Sequence, residues 1–225
     1  MAPNVVLSLS GGMDSATLLG KAVSEFGKDG VCCVFFIYDA RHNVRENLAV
    51  TALLAHYKPA GAYFIDARPC FPVQQSALMT GANKPIPEGH YTDESMKATV
   101  VPGRNLIFAS ILAGIAGNFP GTPAVWLGVH AGDHAIYPDC RPAFVNSLNY
   151  TVNQSSEGKV AVNAPFLRFN KTEILRAGMA LKVPYEHTRT CYTHQELACG
   201  KCGSCVERLE AFKNLGLTDP VPYQK

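Results

Sequence analysis

The chain has 225 residues, of which 47% are hydrophobic and 17% are charged, and its formal net charge is +2. This composition supports one well-packed domain with a small appendage and excludes a chain that is disordered along its whole length. The small net charge argues against direct binding to the backbone of a nucleic acid, which needs a concentrated basic face.

The N-terminal segment predicts a strand and no export signal. Residues 4–9 are apolar and β-branched, but this run is too short for a signal peptide or a membrane span, and no basic segment precedes it. We therefore expect a cytoplasmic protein without membrane contact. In that compartment most of the eight cysteines should be reduced.

Hydrophobic periodicity predicts alternating strands and helices up to residue 66. Helical spacing of apolar residues extends over 13–26 and 43–56, and strands are predicted at 31–38 and 62–66. The run at 31–38 is apolar throughout, as in a strand that helices cover on both faces. The resulting β-α-β-α-β order indicates a parallel sheet with right-handed crossovers.

Residues 67–103 interrupt this rhythm with five prolines and three glycines, and we interpret them as an irregular insertion with a functional role. Beyond it, strands are predicted at 125–129 and 160–166 and helices at 104–117, 142–153, 171–181 and 205–215. The fold class is therefore α/β, an open, mainly parallel five-stranded sheet with helices on both faces. We assign this sheet to a domain of residues 1–185 and place a small helical module at 186–225.

The segment SGGMDS at residues 10–15 stands between the first strand and the first helix. Free backbone N–H groups and the positive end of a helix meet there, which makes an anion site, and the glycines let a phosphate approach the backbone closely. The Walker lysine and the dinucleotide-binding glycine spacing are both absent from it. The alternative is a capped turn that binds no ligand. The candidate ATP-binding residues are Leu9, Ser10, Gly11, Gly12, Met13, Asp14, Ser15, Ala16 and Thr17.

Four of the cysteines form the pattern C-x7-C-x2-C-x2-C near the C-terminus. Glycines between the last three bend the chain so that the sulfurs can converge, and four thiolates suit a closed, structural zinc site. An iron–sulfur cluster is the main alternative, and a redox pair of cysteines is a weaker one. The candidate metal ligands are Cys191, Cys199, Cys202 and Cys205.

Further polar side chains are predicted at the carboxyl ends of strands, where an open α/β sheet binds its ligand. Arg104 begins a helix and can bind a phosphate or a carboxylate, and Lys171 begins another and can reach a phosphate. The alternative for both is a solvent-facing helix start, and for residues 128–141 it is a solvated loop. The other candidates for substrate or metal contact are His42, His130, Asp133, Asp139 and Arg141.

Four segments taken together resemble the 7-cyano-7-deazaguanine synthase family of the PP-loop ATP-pyrophosphatase superfamily. They are SGGMDS at 10–15, GHYTDESMKATVVPGRN at 89–105, GVHAGDHAIYPDCR at 128–141 and the cysteine-containing tail at 191–220. The resemblance runs nearly from end to end. It implies an ATP-dependent ligase that converts 7-carboxy-7-deazaguanine and ammonia to 7-cyano-7-deazaguanine through adenylated intermediates and an amide.

The resemblance also implies roles for the candidate residues. The phosphate loop would hold the leaving pyrophosphate together with Mg²⁺, the four cysteines would bind one zinc ion per chain, and the chain would form a homodimer. The implied catalytic residues are Asp14, Ser15, Arg104, Asp133 and Lys171. The implied substrate site consists of His42, Arg104, His130, Asp133, Asp139 and Arg141.

Two departures from the family pattern keep other functions open. The family usually has Tyr-Gly-Gln-Arg-His after the second strand, whereas this chain has Asp39 and Ala40 at the second and third of these positions. Ala143 replaces a glutamate that is frequent in the family. These changes leave a variant amide-forming ligase open. A tRNA-thiolating PP-loop enzyme and a non-catalytic module that binds nucleotide and zinc are the remaining alternatives.

Overall fold

Where the structure describes the chain, its sheet has five parallel strands. The computed structural model describes residues 2–71, 75–90 and 94–224. Within them, neighbouring strands follow the order β3-β2-β1-β4-β5, and each neighbouring pair is parallel. The predicted α/β class and the five strands are confirmed. The strands are β1 (Val5–Ser8), β2 (Val31–Ile37), β3 (Gly61–Asp66), β4 (Ala124–Trp126) and β5 (Ala161–Asn163).

Six α-helices are present in the described residues, and each begins within two residues of its predicted start. They are α1 (Met13–Phe26), α2 (Asn43–Tyr57), α3 (Arg104–Gly117), α4 (Pro142–Ser155), α5 (Lys171–Ala180) and α6 (Gly203–Asn214). At the start of α5, Asn170 Oδ1 accepts from the Glu173 N–H at 2.9 Å, and Glu173 Oε2 accepts from the Asn170 N–H at 2.8 Å. This reciprocal capping explains why the helix begins there. None of the described helices is long and apolar enough to cross a bilayer.

Helices cover both faces of the sheet, as predicted. On one face, Val6 and Val34 belong to a core cluster with Phe108 and Leu112 of α3. On the other face, Leu7 belongs to a cluster formed with residues of α1, α2, α5 and α6. Successive strand residues point to opposite faces, so every residue of a doubly covered strand meets apolar side chains. This explains the continuous apolar runs in β1 and β2.

The strand order reverses beside β1. The chain passes from β1 to β2 and β3 on one side, and after β3 it crosses to β4 and β5 on the other side. Because the crossovers diverge here, a crevice opens at the carboxyl ends of β1 and β4, where doubly wound sheets bind their ligands. The loops that carry residues 10–15 and 128–141 therefore meet at this crevice.

Strands β4 and β5 are shorter than predicted, with three residues each. Beyond β5, Pro165 has no N–H group to donate to a strand ladder. The apolar residues that follow the strands, Val129 and Phe166, are buried in the core without being part of the sheet. The predicted lengths of β4 and β5 were wrong because a run of apolar residues indicates only that the segment is buried. Strands and irregular segments can both be buried.

The predicted insertion folds against the domain, except for residues 72–74 and 91–93, which lie outside the described residues. Arg41 donates hydrogen bonds at 3.1 Å to the carbonyls of Met79 and Lys84 within it. Met79 itself is fully buried in the core. Arg41 therefore holds the insertion beside the loop that follows β2.

The C-terminal residues pack against the sheet domain. Ala211 and Phe212 of α6 are buried in the same core cluster as Ile174 and Leu175 of α5. The boundary between residues 185 and 186 stays a prediction.

Asp39 occupies a position where glycine is usual in the resembling family, and its backbone is left-handed with φ of 66°. Its carbonyl accepts hydrogen bonds from the N–H and the hydroxyl of Thr80 at 2.9 and 2.8 Å. Glycine adopts this conformation freely, whereas alanine does not.

We expect the Asp39→Gly variant to be more stable than the Asp39→Ala variant, with a free energy of unfolding that is higher by roughly 0.5–1 kcal/mol. This difference is what remains of the left-handed strain of alanine once the greater freedom of glycine in the unfolded chain is subtracted. Urea unfolding of the two variants measures this difference. Equal free energies would contradict a left-handed turn at Asp39 in solution.

Candidate active site

One pocket lies at the carboxyl ends of β1 and β4. The loop after β1, the ends of β2 and β4, the start of α3, Lys171 and residues of the C-terminal module line it. The hydroxyls of Ser10 and Ser15 lie 3.1 Å apart in this pocket, beside the first N–H groups of α1, so several donors face one point. Five of the nine candidate ATP-binding residues line the pocket: Leu9, Ser10, Gly12, Asp14 and Ser15.

The other four candidates of the loop face the protein core: Gly11, Met13, Ala16 and Thr17. Gly11 has φ of 77°, and a Cβ at this position would lie 2.7 Å from the Cβ of Ala49. Gly11 is therefore required for the close packing of α2. The Thr17 hydroxyl bonds the Tyr185 hydroxyl and the Met13 carbonyl at 2.8 Å each. These residues support the loop from behind.

Lys171 lies at the centre of a charged cluster in the pocket. Its Nζ donates to Asp14 Oδ2 at 2.6 Å and lies 3.1 Å from His130 Nε2. His130 Nε2 lies 3.4 Å from Asp133 Oδ2 and 3.6 Å from Asp14 Oδ2. The structure thus brings together four predicted residues, which come from α1, α5 and the loop after β4.

The contacts within this cluster decide its charges. Burial alone would raise the pKa of Asp14, but Lys171 and His130 lower it well below its usual value. Burial opposes the charge of Lys171, yet the carboxylates of Asp14 and Glu207 outweigh it and raise the pKa of Lys171. Burial also opposes protonation of His130, while Asp133 and Asp14 raise its pKa above the ordinary value. Asp14 and Lys171 are therefore both ionised at neutral pH.

A second polar group lies where β2 ends. His42 and Glu46 are both buried and line the pocket, and His42 Nε2 is 3.6 Å from Glu46 Oε1. Asn43 donates to Glu46 Oε2 at 3.0 Å and accepts from the N–H groups of Tyr38 and Ala40 at 3.0 Å each. Glu46 was not among the sequence candidates. Its spacing of four residues from His42 on one helix face was the available signal.

Arg104 lines the pocket from the start of α3. Burial opposes its charge, but the hydroxyls of Tyr38 and Tyr137 outweigh this effect and raise its pKa. Arg104 is therefore a cation at neutral pH, and its guanidinium can bind a phosphate or a carboxylate in the pocket.

Asp139 and Arg141 lie outside the lining of the pocket. Asp139 Oδ2 accepts from the N–H of Asn105 at 3.2 Å, and Arg141 Nε donates to the His134 carbonyl at 2.9 Å. The two residues hold the start of α3 and the loop after β4 in place. Their direct contact with a substrate stays a prediction.

The C-terminal module contributes to the pocket, which no sequence pattern predicted. Glu207 Oε2 on α6 lies 3.6 Å from Lys171 Nζ. The module residues that line the pocket stand beside the predicted metal ligands, and the cysteine pattern carried no information about them. They are Arg189, Thr190, Tyr192 and Ser204.

The four candidate metal ligands converge on one point. Their sulfur atoms lie within 4.8 Å of one another. Backbone N–H groups of Cys199 and Cys202 donate to the sulfurs of Cys191 and Cys199 at 3.3 and 3.4 Å. Hydrogen bonds from the Cys202 thiol and from the backbone lower the pKa of the Cys199 thiol. Such a set of thiolates fits a four-coordinate metal ion.

Comparison with known proteins finds full-length relatives. Residues 4–216 match the family model described as queuosine biosynthesis protein QueC. The chain is similar to the 7-cyano-7-deazaguanine synthase of Marinobacter nauticus, with 44% identity over 225 residues that cover 100% of this chain and 99% of that protein. It is 43% identical over 224 residues to 7-cyano-7-deazaguanine synthase 1 of Colwellia psychrerythraea, with 100% of both chains covered.

Solved structures share the fold at low sequence identity. NMN synthetase from Francisella tularensis has a TM-score of 0.51 and 14% identity, and the match covers 96% of this chain and 74% of that chain. The U34-tRNA thiolase NcsA from Methanococcus maripaludis, solved with its 4Fe–4S cluster, has a TM-score of 0.51 and 16% identity, covering 95% and 67%. These likenesses establish the fold alone.

The buried His42 and Glu46 predict opposing effects of pH on stability. Burial raises the pKa of Glu46 from 4.5 to about 7, so the folded chain keeps a proton that the unfolded chain loses, and stability falls as pH rises through this window. Burial lowers the pKa of His42 from 6.5 to about 4, so the unfolded chain binds the extra proton and stability rises with pH between these values.

Substituting either His42 or Glu46 should reveal how the other residue changes the stability with pH. Relative to the parent chain, we expect Glu46→Gln to gain stability as pH rises from about 5 to 7, and His42→Gln to lose it over the same range. Urea unfolding at several pH values measures both. Parallel pH profiles for the three proteins would contradict the shifted pKa values.

Proposed function

Since this chain belongs to the QueC family of queuosine biosynthesis proteins, we propose that it is an ATP-dependent ligase of the 7-cyano-7-deazaguanine synthase type. Its substrates are 7-carboxy-7-deazaguanine and ammonia, and its product is the nitrile 7-cyano-7-deazaguanine. One observation carries the proposal: the phosphate loop, Arg104 and Lys171 converge in a single pocket at the switch point of the sheet. This pocket supplies the donors and cations that adenylation of a carboxylate needs.

The proposed reaction activates the same carbon twice. A carboxylate oxygen attacks the α-phosphorus of ATP, and pyrophosphate leaves. Ammonia attacks the acyl carbon, AMP departs with that oxygen, and the nitrogen loses a proton to give the amide. The amide oxygen then attacks the α-phosphorus of a second ATP, and a second pyrophosphate leaves. Loss of AMP together with the two remaining N–H protons gives the nitrile.

The pocket residues match the charges that develop in these steps. Ser10, Gly12 and Ser15 donate hydrogen bonds to the leaving pyrophosphate, and Lys171 offsets its negative charge. Arg104, at the start of α3, binds the substrate carboxylate or the α-phosphate.

Other polar side chains of the pocket bind the deazapurine ring and ammonia in this proposal. His42 and Glu46 contact the deazapurine ring at the end of β2. Asp133 accepts a hydrogen bond from ammonia and holds its lone pair towards the acyl carbon. His130, whose Nε2 lies 3.4 Å from Asp133 Oδ2, positions that carboxylate. Asp139 acts through the start of α3, where it accepts a hydrogen bond from Asn105.

A magnesium ion accompanies ATP in this proposal, and Asp14 is the residue that fits it. Asp14 Oδ1 is buried and has no hydrogen-bond partner among the described residues, while Oδ2 is held by Lys171. Oδ1 is thus available to the ion or to a water bound to it. When bound, Mg²⁺ neutralises charge on the departing pyrophosphate.

The four cysteines hold one structural zinc ion per chain in this proposal. Four thiolates close the coordination sphere, so the ion offers no position to a substrate. Between the first and the last of these cysteines lie Tyr192 and Ser204, which line the pocket. Zinc binding therefore keeps one wall of the pocket in shape.

A homodimer in the cytoplasm completes the proposal. On α2 and on the edge strand β3, four apolar side chains are exposed, and a second copy of the chain would cover them. Thiolates that bind a metal also suit a reducing compartment. The four side chains are Val44, Leu48, Tyr63 and Phe64.

The activity is tested by incubating the pure chain with ATP, Mg²⁺, ammonium and 7-carboxy-7-deazaguanine. We expect the amide and then the nitrile by mass spectrometry, with two molecules of AMP formed per nitrile. One AMP per amide without any nitrile would establish the variant amide-forming ligase instead. No substrate-dependent AMP would contradict the ligase altogether.

In the same assay, Lys171→Met should lower kcat by about 100-fold or more, because the charge on the leaving pyrophosphate loses a nearby cation. Lys213→Met, which changes an exposed lysine at the end of α6, is the matched control and should retain the parent kcat. Equal rates for the two variants would remove Lys171 from the mechanism.

Metal analysis should find about one zinc ion per chain. Cys202→Ser should lose the zinc and lower the Tm, because three thiolates no longer close the site. Cys70→Ser changes a lone exposed cysteine and should keep both the zinc and the Tm. Iron with sulfide in the purified chain would contradict the zinc assignment.

A further inference from the structure

The segment that leads into the first cysteine lies directly against the phosphate loop. The Arg189 N–H donates to the Gly11 carbonyl at 2.7 Å, and Thr190 Oγ1 accepts from the Met13 N–H at 3.3 Å. Thr190 is half-buried and lines the pocket. Its hydroxyl is therefore at the start of α1, where the donors of the loop converge.

A buried guanidinium holds this segment from the other side. Arg208 on α6 is 1% exposed, and its Nε and Nη2 donate to the two oxygens of Asp219 at 2.6 and 2.8 Å. Its Nη1 donates to Thr188 Oγ1 at 2.6 Å and to Thr190 Oγ1 at 3.1 Å. Thr190 is thus fixed between Arg208 and the first residue of α1.

The Thr190 hydroxyl still has a hydrogen that it can donate. Both of its contacts are N–H donors, so its oxygen accepts twice and its own hydrogen needs a different partner. In the part of the chain that the structure describes, no acceptor takes that hydrogen. Thr188 differs, because its hydroxyl donates to the Tyr185 carbonyl at 2.7 Å and it does not line the pocket.

We infer that Thr190 binds the phosphate chain of ATP through its hydroxyl hydrogen, and that Arg208, paired with Asp219, is the positioning residue for it. Other donors, Ser10 and Lys171 among them, line the same pocket, and one anion could accept hydrogen bonds from all of them. The charged guanidinium polarises the hydroxyl and makes it a better donor. This inference rests on the proposed function only in naming ATP as the anion.

Isothermal calorimetry on the full chain with pyrophosphate and with adenosine tests the assignment. Thr190→Val should weaken pyrophosphate binding by about tenfold or more, since it removes a hydrogen bond to a charged group, and should leave adenosine binding within twofold. Thr190→Ser keeps the hydroxyl and should bind pyrophosphate like the parent. Thr188→Val is the matched control, because it also loses a bond from Arg208 but removes no donor from the pocket.

Thermal unfolding of each variant separates binding from stability. We expect Thr188→Val and Thr190→Val to lower the Tm by similar amounts, while only the second weakens pyrophosphate binding. If the valine variant does not fold, Thr190→Ala replaces it in the same comparison. Pyrophosphate binding unchanged in the Thr190 variant, or weakened equally by Thr188→Val, would overturn the inference.

The binding experiment is independent of synthesis. It needs neither the deazaguanine carboxylate nor ammonia, so a failed nitrile assay with intact pyrophosphate binding would refute the proposed reaction and leave Thr190 in place. A parent chain that binds no pyrophosphate would overturn the inference itself.

Discussion

The central position of β1 is the constraint on which the rest of the structure depends. Because the strand order reverses beside it, the loops after β1 and β4 open towards the same crevice. Asp14 and His130 follow these two strands and approach to 3.6 Å. If β1 and β4 were not neighbours in the sheet, other strands would separate the same two loops, and the charged cluster could not form from them.

Two buried cations are the second constraint, and a carboxylate matches each of the two. The side chains of Lys171 and Arg208 are 10% and 1% exposed. Removing a cation from water costs several kcal/mol, and a close carboxylate offsets this cost only with good geometry. Asp14 meets that need at 2.6 Å for Lys171, and Asp219 does so for Arg208 with two hydrogen bonds. The first pair joins α1 to α5, and the second joins the C-terminal tail to α6.

Sequence patterns predicted those parts of the site whose residues all come from one short segment of the chain. The phosphate loop and the cysteine pattern were both identified from spacing, because their groups converge through short turns of the backbone. Even there, spacing could not separate the residues that line the pocket from those that face the core. Gly11 and Thr17 are part of the motif, yet one makes room for α2 and the other bonds Tyr185.

By itself, the sequence determined the α/β class, the helix starts, the place of the SGGMDS loop between the first strand and the first helix, and the cluster of four cysteines, since periodicity and short-range spacing constrain each of them. Only the tertiary structure decided that Glu46, Thr190 and Glu207 belong to the site and that Arg141 lies outside its lining. Met13 and Thr190 are 177 positions apart. No local pattern carries a contact over that distance, because it forms only when α6 packs on α5 and brings the preceding segment back to the phosphate loop.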